Sequence, residues 1–363
     1  MKNGINHFKT LEEPRIDRCN LHLFEDILYL TIAAVICGAD NFVEIESFGE
    51  NKKAWLSTFL KLSNGIPSHD TIGRLFARIN VQSFELCFIE WMQSVVKLTQ
   101  GQVIAIDGKT LRGSASPVNG KKAIHMVSAF ASANQVVLGQ LACEEKSNEI
   151  TAIPALLDLI IVKGCIVTID AMGCQTEIAA KIIEKEADYI LAVKDNQQSL
   201  HKELQELFCL HRSKSFETLE KDHGRIETRK CSVLTNLKKM KNSAKWVGLK
   251  SIVKIESQRD INGKISEETR YYISSLDITA KAMNINVRNH WSVENNLHWA
   301  LDVSFNEDDN RTRTDNSAEN LSIVRCVALN LLKTDKTMKV GIAAKRKSAG
   351  WNTKYLETLL QNL

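Results

Sequence analysis

Three carboxylates stand where phosphoryl chemistry could use them. Asp107 closes the apolar run Val-Ile-Ala-Ile, Asp170 closes Cys-Ile-Val-Thr-Ile, and Glu294 lies within HWSVENNLHWALDV. An acid at the end of a β-rich apolar run sits where a buried strand opens to solvent. Two such strands and a helix-borne acid can converge, and their hard oxygen donors suit Mg²⁺ or Mn²⁺ with waters completing the shell. Two such ions, about 3.5 to 4 Å apart, can activate a water or a 3′-hydroxyl and stabilise the leaving oxygen of an in-line displacement at phosphorus. No nucleophilic side chain is then required, and the chain carries no G-x-S-x-G elbow, P-loop or dinucleotide fingerprint.

At 3.6 residues per turn, Val287, Trp291, Glu294, His298, Leu301 and Phe305 fall on one stripe, so Glu294 is expected to point into an apolar face. A buried carboxylate needs a cation or hydrogen bonds. Metal coordination is one answer; a buried Arg or backbone amides would be another. His290, Glu294 and His298 are spaced i, i+4, i+8, which also permits a two-histidine, one-carboxylate transition-metal site. The H-E-x-x-H spacing of zinc peptidases is absent.

These residues need a scaffold that brings strand ends together. From Gln102, VIAID, AIHMVSAFA and QVVLGQLA form three short apolar runs separated by polar turns, a strand followed by a hairpin. A helix (EITAIPALLDLII), a strand (CIVTID), a helix (QTEIAAKIIEKE) and a strand (DYILAVK) follow. The order predicts an α/β fold: a ribonuclease H-like mixed sheet flanked by helices, with Asp107 on the first strand and Asp170 on the fourth. After a further helix, roughly residues 200 to 277 read as a β-rich insertion whose last two runs are joined across Asn262-Gly263, a strong hairpin signal. Helices return near Ala280. Residues 21 to 98 recur at three and four and read as an α-helical N-terminal domain. Within it Ser68 is a candidate N-cap, and Arg74 and Arg78 lie on a helix whose Ile72, Leu75, Phe76 and Ile79 face inward, either a helix-turn-helix second helix or an ordinary amphipathic helix. The expected division is 1–99 (helical, a candidate DNA-binding unit), 100–335 (catalytic, with the insertion) and 336–363 (a basic C-terminal tail).

Composition narrows the setting. The apolar stretch Ile27 to Cys37 is about half the length of a membrane span, so no membrane helix or signal peptide is expected. Nine cysteines with no C-x-x-C pair fit reduced thiols and a cytoplasmic protein. Net charge is only +4, but it is uneven: residues 225–250 hold eight Lys/Arg against Glu227, and 333–363 hold seven against Asp335 and Glu357. Such blocks could follow phosphates or form solvated faces.

Several segments in order, IAIDGKTLRGS, TIDAMGCQTEIA, YILAVKDNQ, HGRIETR and HWSVENNLHWALDVSFNEDDNRTR, make the chain resemble a DDE-type insertion-sequence transposase of the H-repeat-associated group. The likeness extends from the helical N-terminal segments ICGADNFVEIESFG and LSNGIPSHDTIGRLFA to AAKRKSAGWNTKYLETLL. It implies Asp107, Asp170 and Glu294 as catalytic metal ligands for Mg²⁺ or Mn²⁺, two ions in all. It implies double-stranded DNA as partner, both element ends and target, with a homodimer in a synaptic complex. The chain departs from a pattern common among related transposases, Y-x2-R-x3-E-x6-K, whose places here hold Val287, His290, Glu294 and Leu301. Arg288, His290 and His298 are candidate substitutes for the missing phosphate contacts. Lys109, Arg112 and Lys194 near the carboxylates, and His223, Arg225 and Arg229 on the insertion, complete the DNA-contact candidates; structural ion pairing is the competing role. Trp291 is expected in the core, while Trp299 could be an exposed stacking platform or pack against the helix. The alternatives are a ribonuclease H-like nuclease that cuts without strand transfer, and a DNA-binding remnant that has lost catalysis.

Overall fold

Four helices occupy the segment with helical period: α1 (Phe24–Ile36), α2 (Phe42–Leu56), α3 (His69–Arg78) and α4 (Val81–Val95). They belong to a computed structural model that describes residues 7–16, 20–116, 120–143, 148–222 and 224–363. α1 is buried on nearly every face, which accounts for its unbroken apolar run. Side-chain caps open the next three, Asn41, Ser68 and Asn80 accepting from Glu44, Thr71 and Ser83 N–H. α3 buries Ile72, Leu75 and Phe76 and leaves Arg74 and Arg78 exposed.

The sheet begins with β1 (Val103–Leu111), β2 (Ile124–Ala131) and β3 (Val136–Ala142), paired antiparallel. α5 (Glu149–Leu159) leads to β4 (Ile166–Ile169), parallel to β1, and α6 (Thr176–Glu184) to β5 (Asp188–Val193), parallel to β4. This is the ribonuclease H-like arrangement expected from the resemblance. After α7 (Gln198–Leu210) the β-rich insertion forms a meander of β6 (Lys214–Asp222), β7 (Arg225–Leu234), β8 (Ser251–Ile261) and β9 (Lys264–Ser274). β9 pairs antiparallel with β5, so the insertion prolongs the same sheet, in the order β3-β2-β1-β4-β5-β9-β8-β7-β6. Asn262 and Gly263, at φ 53° and 83°, turn β8 into β9 as their types require.

Both sheet faces are covered, and the strands divide their residues accordingly. Ile104, Val167, Leu191, Ile252 and Ile273 join the main core with α1, α4, α5, α6 and α10 (Ser317–Thr334). Their neighbours Val103, Ile166, Ile190, Val253 and Tyr272 meet α8 (Ala280–His290) on the other face. After α8 come a π-helical segment, Glu294–His298, and α9 (Trp299–Phe305). α10 is buried almost end to end and packs against α1, α3, α4 and β3, tying the N-terminal helices to the sheet.

Residues 336–363 do not trail as a basic tail. They fold as α11 (Ile342–Trp351) and α12 (Thr353–Leu360), packed on α1 and α10. Lys345 Nζ donates to the Leu332 and Asp335 carbonyls at 2.8 and 2.6 Å, closing the C-terminal end of α10, and Arg346 Nη2 reaches Val35 O and Asp40 at 2.8 and 2.9 Å. Two cations counted as surface charge are thus buried by backbone carbonyls, which a charge count cannot see. Among the described residues no helix is long and apolar enough to cross a membrane.

Candidate active site

β1 and β4 are paired in parallel up to Ile106 and Ile169, so Asp107 and Asp170 are the next residue on each chain. β4 stops there, whereas β1 continues to Leu111 against β2. The carboxylates therefore stand where the parallel pairing opens, at the carboxyl end of the strands, the usual location of ligand sites in such sheets. Asp170 Oδ1 accepts from Met172 N–H at 3.0 Å and Gly173 N–H at 3.4 Å, and Asp107 Oδ1 from Gly108 N–H at 3.0 Å.

Burial is the main force raising Asp107, and the charges of Asp170, Glu149 and Glu294 add to it, bringing its carboxyl to about 7. Asp170 is also raised, by burial and then by Glu149, against the opposing Gly173 and Met172 amides and Lys194. Asp107 is thus a half-buried acid surrounded by acids.

Glu294 differs from its expected placement. It is exposed, and Val293, Leu297, Ala300, Leu301 and Phe305 face the core instead. The stripe assumed one uniform helix from Val287 to Phe305. In fact α8 ends at His290, and Glu294 opens a π-helical stretch whose wider turns shift the phase. Its charge still reaches Asp107.

His298 Nδ1 lies 3.7 Å from Asp107 Oδ2, and its buried Nε2 has no hydrogen-bond partner. His290 Nδ1 lies 3.0 Å from Thr168 Oγ1, its ring edge-on to Trp291. Burial foremost lowers both imidazoles to about 4, so at neutral pH they offer hydrogen-bonding nitrogens without charge. Trp291 is half-buried beneath the Arg270 guanidinium, 4.3 Å away, whereas Trp299 is 60% exposed.

Lys194 is exposed and lines a small cleft with Asp170, Arg270, His290 and Trp291. Lys109 turns elsewhere: its Nζ binds Asp302 and, at 2.7 Å, the fully buried Glu307. Arg112 is exposed, 3.5 Å from Asp308, and Arg288 pairs with Glu220 on β6. Arg225 and Arg229 share Glu227 on β7, at 3.9 and 2.6 Å. β7 lies four strands from β4, roughly 20 Å away at ordinary strand spacing. His223 lies outside the described residues. The structure thus gathers Asp107, Asp170, Glu294, Lys194, His290 and His298 and leaves the β7 arginines apart.

Sequence reasoning passed over Glu149 and His125. Glu149 opens α5 behind the N-cap Asn148, and its Oε1 lies 2.6 Å from His125 Nε2 on β2. Acids in a helix's first turn are commonplace, so its position gave no signal of a site.

Donor chemistry is the test of whether a metal fits. The candidates are hard carboxylate oxygens, with neighbouring acids adding to the raise at Asp107 and Asp170, and the ring nitrogen nearest to Asp107 belongs to an uncharged histidine, His298. Such donors fit Mg²⁺ or Mn²⁺ in kind. Among the described residues, no three His, Cys, Asp or Glu side chains form a ready metal-holding group.

A second concave surface, of about 770 Å³, lies between α2, α3 and the 306–317 loop, with the exposed Arg74, Arg78, Arg311 and Arg313 among its walls. That loop is tied to the N-terminal helices by Asn310 Nδ2 donating to Asp40 O at 2.7 Å and Asn316 Nδ2 to Ile79 O at 3.0 Å.

Comparison with known proteins gives consistent matches. The family described as "Transposase DDE domain" matches residues 98–331, and the one described as "DDE_Tnp_1-associated" matches 5–92. "Putative transposase YncI" of Escherichia coli O157:H7 is 48% identical over 349 residues, 93% of this chain and 89% of that protein. "H repeat-associated putative transposase YhhI" of Escherichia coli K12 is 44% identical, spanning 99% of this chain and 98% of that one. "Inactive transposase YbfQ" of the same strain is 47% identical but spans 22% of this chain. Among solved structures, a piggyBac transposase synaptic complex with hairpin DNA aligns with a TM-score of 0.49 at 11% identity, covering 93% of this chain and 72% of that one.

Proposed function

The chain belongs to the DDE transposase family, and from that premise we propose that it binds the ends of an insertion sequence, cleaves them and joins them to target DNA. The observation that carries this reading is the placement of Asp107 and Asp170 one residue beyond the last parallel pair of β1 and β4, with Glu294 among the charges acting on Asp107. Asp107, Asp170 and Glu294 would hold the metal. When bound, divalent ions supply activation of a water or 3′-hydroxyl and neutralise charge at the leaving oxygen.

The chain's own residues would do the rest. Lys194, beside Asp170, is placed to meet a phosphate near the reacting centre. His298 Nδ1, 3.7 Å from Asp107 Oδ2, would offer an uncharged nitrogen beside the carboxylates. Arg225, Arg229 and Arg288 would contact flanking DNA, and the arginine-walled cleft at α3 is a candidate for the element end, with residues 1–99 serving as the end-binding unit. Two ends must be processed together, so a homodimer in a synaptic complex is the working assembly.

The test is cleavage and strand transfer on duplexes carrying element ends, with Mg²⁺. Wild type is expected to produce both nicked ends and joined products. Asp107→Ala, Asp170→Ala and Glu294→Ala are expected to fall to background while still binding DNA. Full activity in any of the three removes that residue from the site, and cleavage without joined products favours a nuclease.

A further inference from the structure

We infer that the arginine-walled cleft is a composite site for duplex DNA, to which α3 brings Arg74 and Arg78 and the 306–317 loop of the catalytic unit brings Arg311. The inference rests on the end-binding reading above and deepens it: residues 1–99 do not grip the element end alone.

The two walls are built to meet. On α3, Ile72, Leu75 and Phe76 turn inward, which leaves Arg74 and Arg78, one turn apart, on the solvent face. Opposite them the loop is fastened at several points. Asn310 and Asn316 bind Asp40 O and Ile79 O on the side of the N-terminal helices. On the side of the sheet, Arg313 Nε donates to Gly113 O at 3.0 Å, and a Cβ at Gly113 would overlap Asn310 O, so the loop lies directly on the chain just beyond β1. Glu307, in the same loop, holds Lys109 on β1. One segment therefore joins the cleft to the strand that carries Asp107, and DNA held in the cleft keeps a fixed relation to the carboxylates.

Charge decides the occupant. Among the described residues Arg74, Arg78 and Arg311 have no hydrogen-bond or ion-pair partner, unlike Lys109, Arg325 and Arg346, which protein oxygens hold. Cations left uncompensated around one concavity fit a polyanion. Acids line the cleft as well. Asp40 is taken by Arg346 at 2.9 Å, and Glu44 by Asp40 N–H and Asn41 Nδ2, both at 2.7 Å. Asp70, Asp309 and Asp315 stay exposed and repel a phosphate that is out of register, so the cleft selects placement as well as charge. At about 770 Å³ it is too small to enclose a duplex and grips one strand of it. A loop that served only to brace α3 against the sheet would need its asparagines and not Arg311.

The experiment is fluorescence anisotropy of the full chain with a duplex carrying an element end and with a scrambled duplex of equal length, in EDTA so that binding is read without cleavage. Arg74→Ala and Arg311→Ala are each expected to weaken end binding about tenfold, and to lower the slope of log affinity against log salt by about 1. Both side chains are exposed, so an unchanged melting temperature in each variant separates lost contact from lost folding. Wild-type end affinity in Arg311→Ala, with Arg74→Ala weakened, overturns the composite site and returns end binding to residues 1–99 alone. Wild-type affinity in both variants removes the cleft from the DNA-contacting surface and leaves the carboxylate site standing. A wild-type chain that does not prefer the end duplex overturns the end-binding reading and this inference with it.

Discussion

Asp107 and Lys109 are two residues apart on β1, yet they belong to electrostatic environments of opposite design. At Asp107 burial acts first and the charges of Asp170, Glu149 and Glu294 add to it, bringing its carboxyl to about 7. Around Glu307, burial also acts upward, but Lys109 and Arg325 outweigh it and leave this fully buried acid below the usual carboxylate range. Lys109 Nζ is 2.7 Å from Glu307 Oε2, Ser322 Oγ donates to Oε1 at 3.1 Å, and Arg325 stands 3.7 Å away. The interior ion cluster is completed by the protein's own cations. The strand-end carboxylates stay raised, with Lys194 opposing the shift at Asp170.

The largest effect should come from opening the completed cluster. Glu307→Gln leaves Lys109 and Arg325 facing each other with one fewer anion in the interior, and removing one partner of a buried pair costs about 3 to 5 kcal/mol. Urea unfolding is the measurement. A loss below about 1 kcal/mol would show that the two environments do not differ as described.

Glu85 sharpens the comparison from within the core. It is buried between α4 and β3, accepts from Gln140 N–H at 2.8 Å, and has no partner at its second oxygen. Burial pushes it up to about 8. A raised folded-state acid contributes its full stability below the unfolded value, near 4.5, and loses it as pH climbs toward 8. Glu85→Gln should therefore gain on wild type by about 4 kcal/mol between pH 5 and pH 9. A mutant difference that does not vary with pH would mean that Glu85 is compensated after all.

Much of this was legible before any fold was known. Apolar runs ending in acids gave parallel strands and the adjacent aspartates, Ser68 gave a cap, and Asn262-Gly263 gave a hairpin. What escaped was set by geometry that letters do not encode. A π-helical turn rotated Glu294 out of the apolar stripe. The carbonyl ends of α10 and α1 drew Lys345 and Arg346 inward, and Glu307, nearly two hundred residues downstream, claimed Lys109. Glu149 looked like an ordinary first-turn acid until β2 supplied His125.

A smaller effect follows at the strand ends. Asp107→Asn removes one member of a repelling group, so without metal it should match or exceed wild-type stability at pH 8. The raised carboxyl of Asp107 contributes fully only below about 4, so the mutant's advantage should fade as pH drops from 7 toward 4. Saturating Mg²⁺ should reverse the order by stabilising wild type alone. Thermal unfolding with and without Mg²⁺ reads both. A destabilised Asp107→Asn in metal-free buffer would place Asp107 with the completed cluster.

Arg288 should show the smallest change in stability and still be informative. Its guanidinium meets Glu220 across α8 and β6, with both side chains close to half exposed. Exposed pairs of this kind contribute about 0 to 1 kcal/mol, so the guanidinium can leave Glu220 for a phosphate at little cost. Neither Lys109 nor Arg325 has that freedom, since each is held by the buried Glu307. Arg288→Ala should therefore shift the melting temperature by no more than a few degrees. It should weaken binding to end-containing DNA and lower the slope of log affinity against log salt by about 1. An unchanged slope would remove Arg288 from the DNA-contacting set and leave its pairing with Glu220 as a surface feature of the fold.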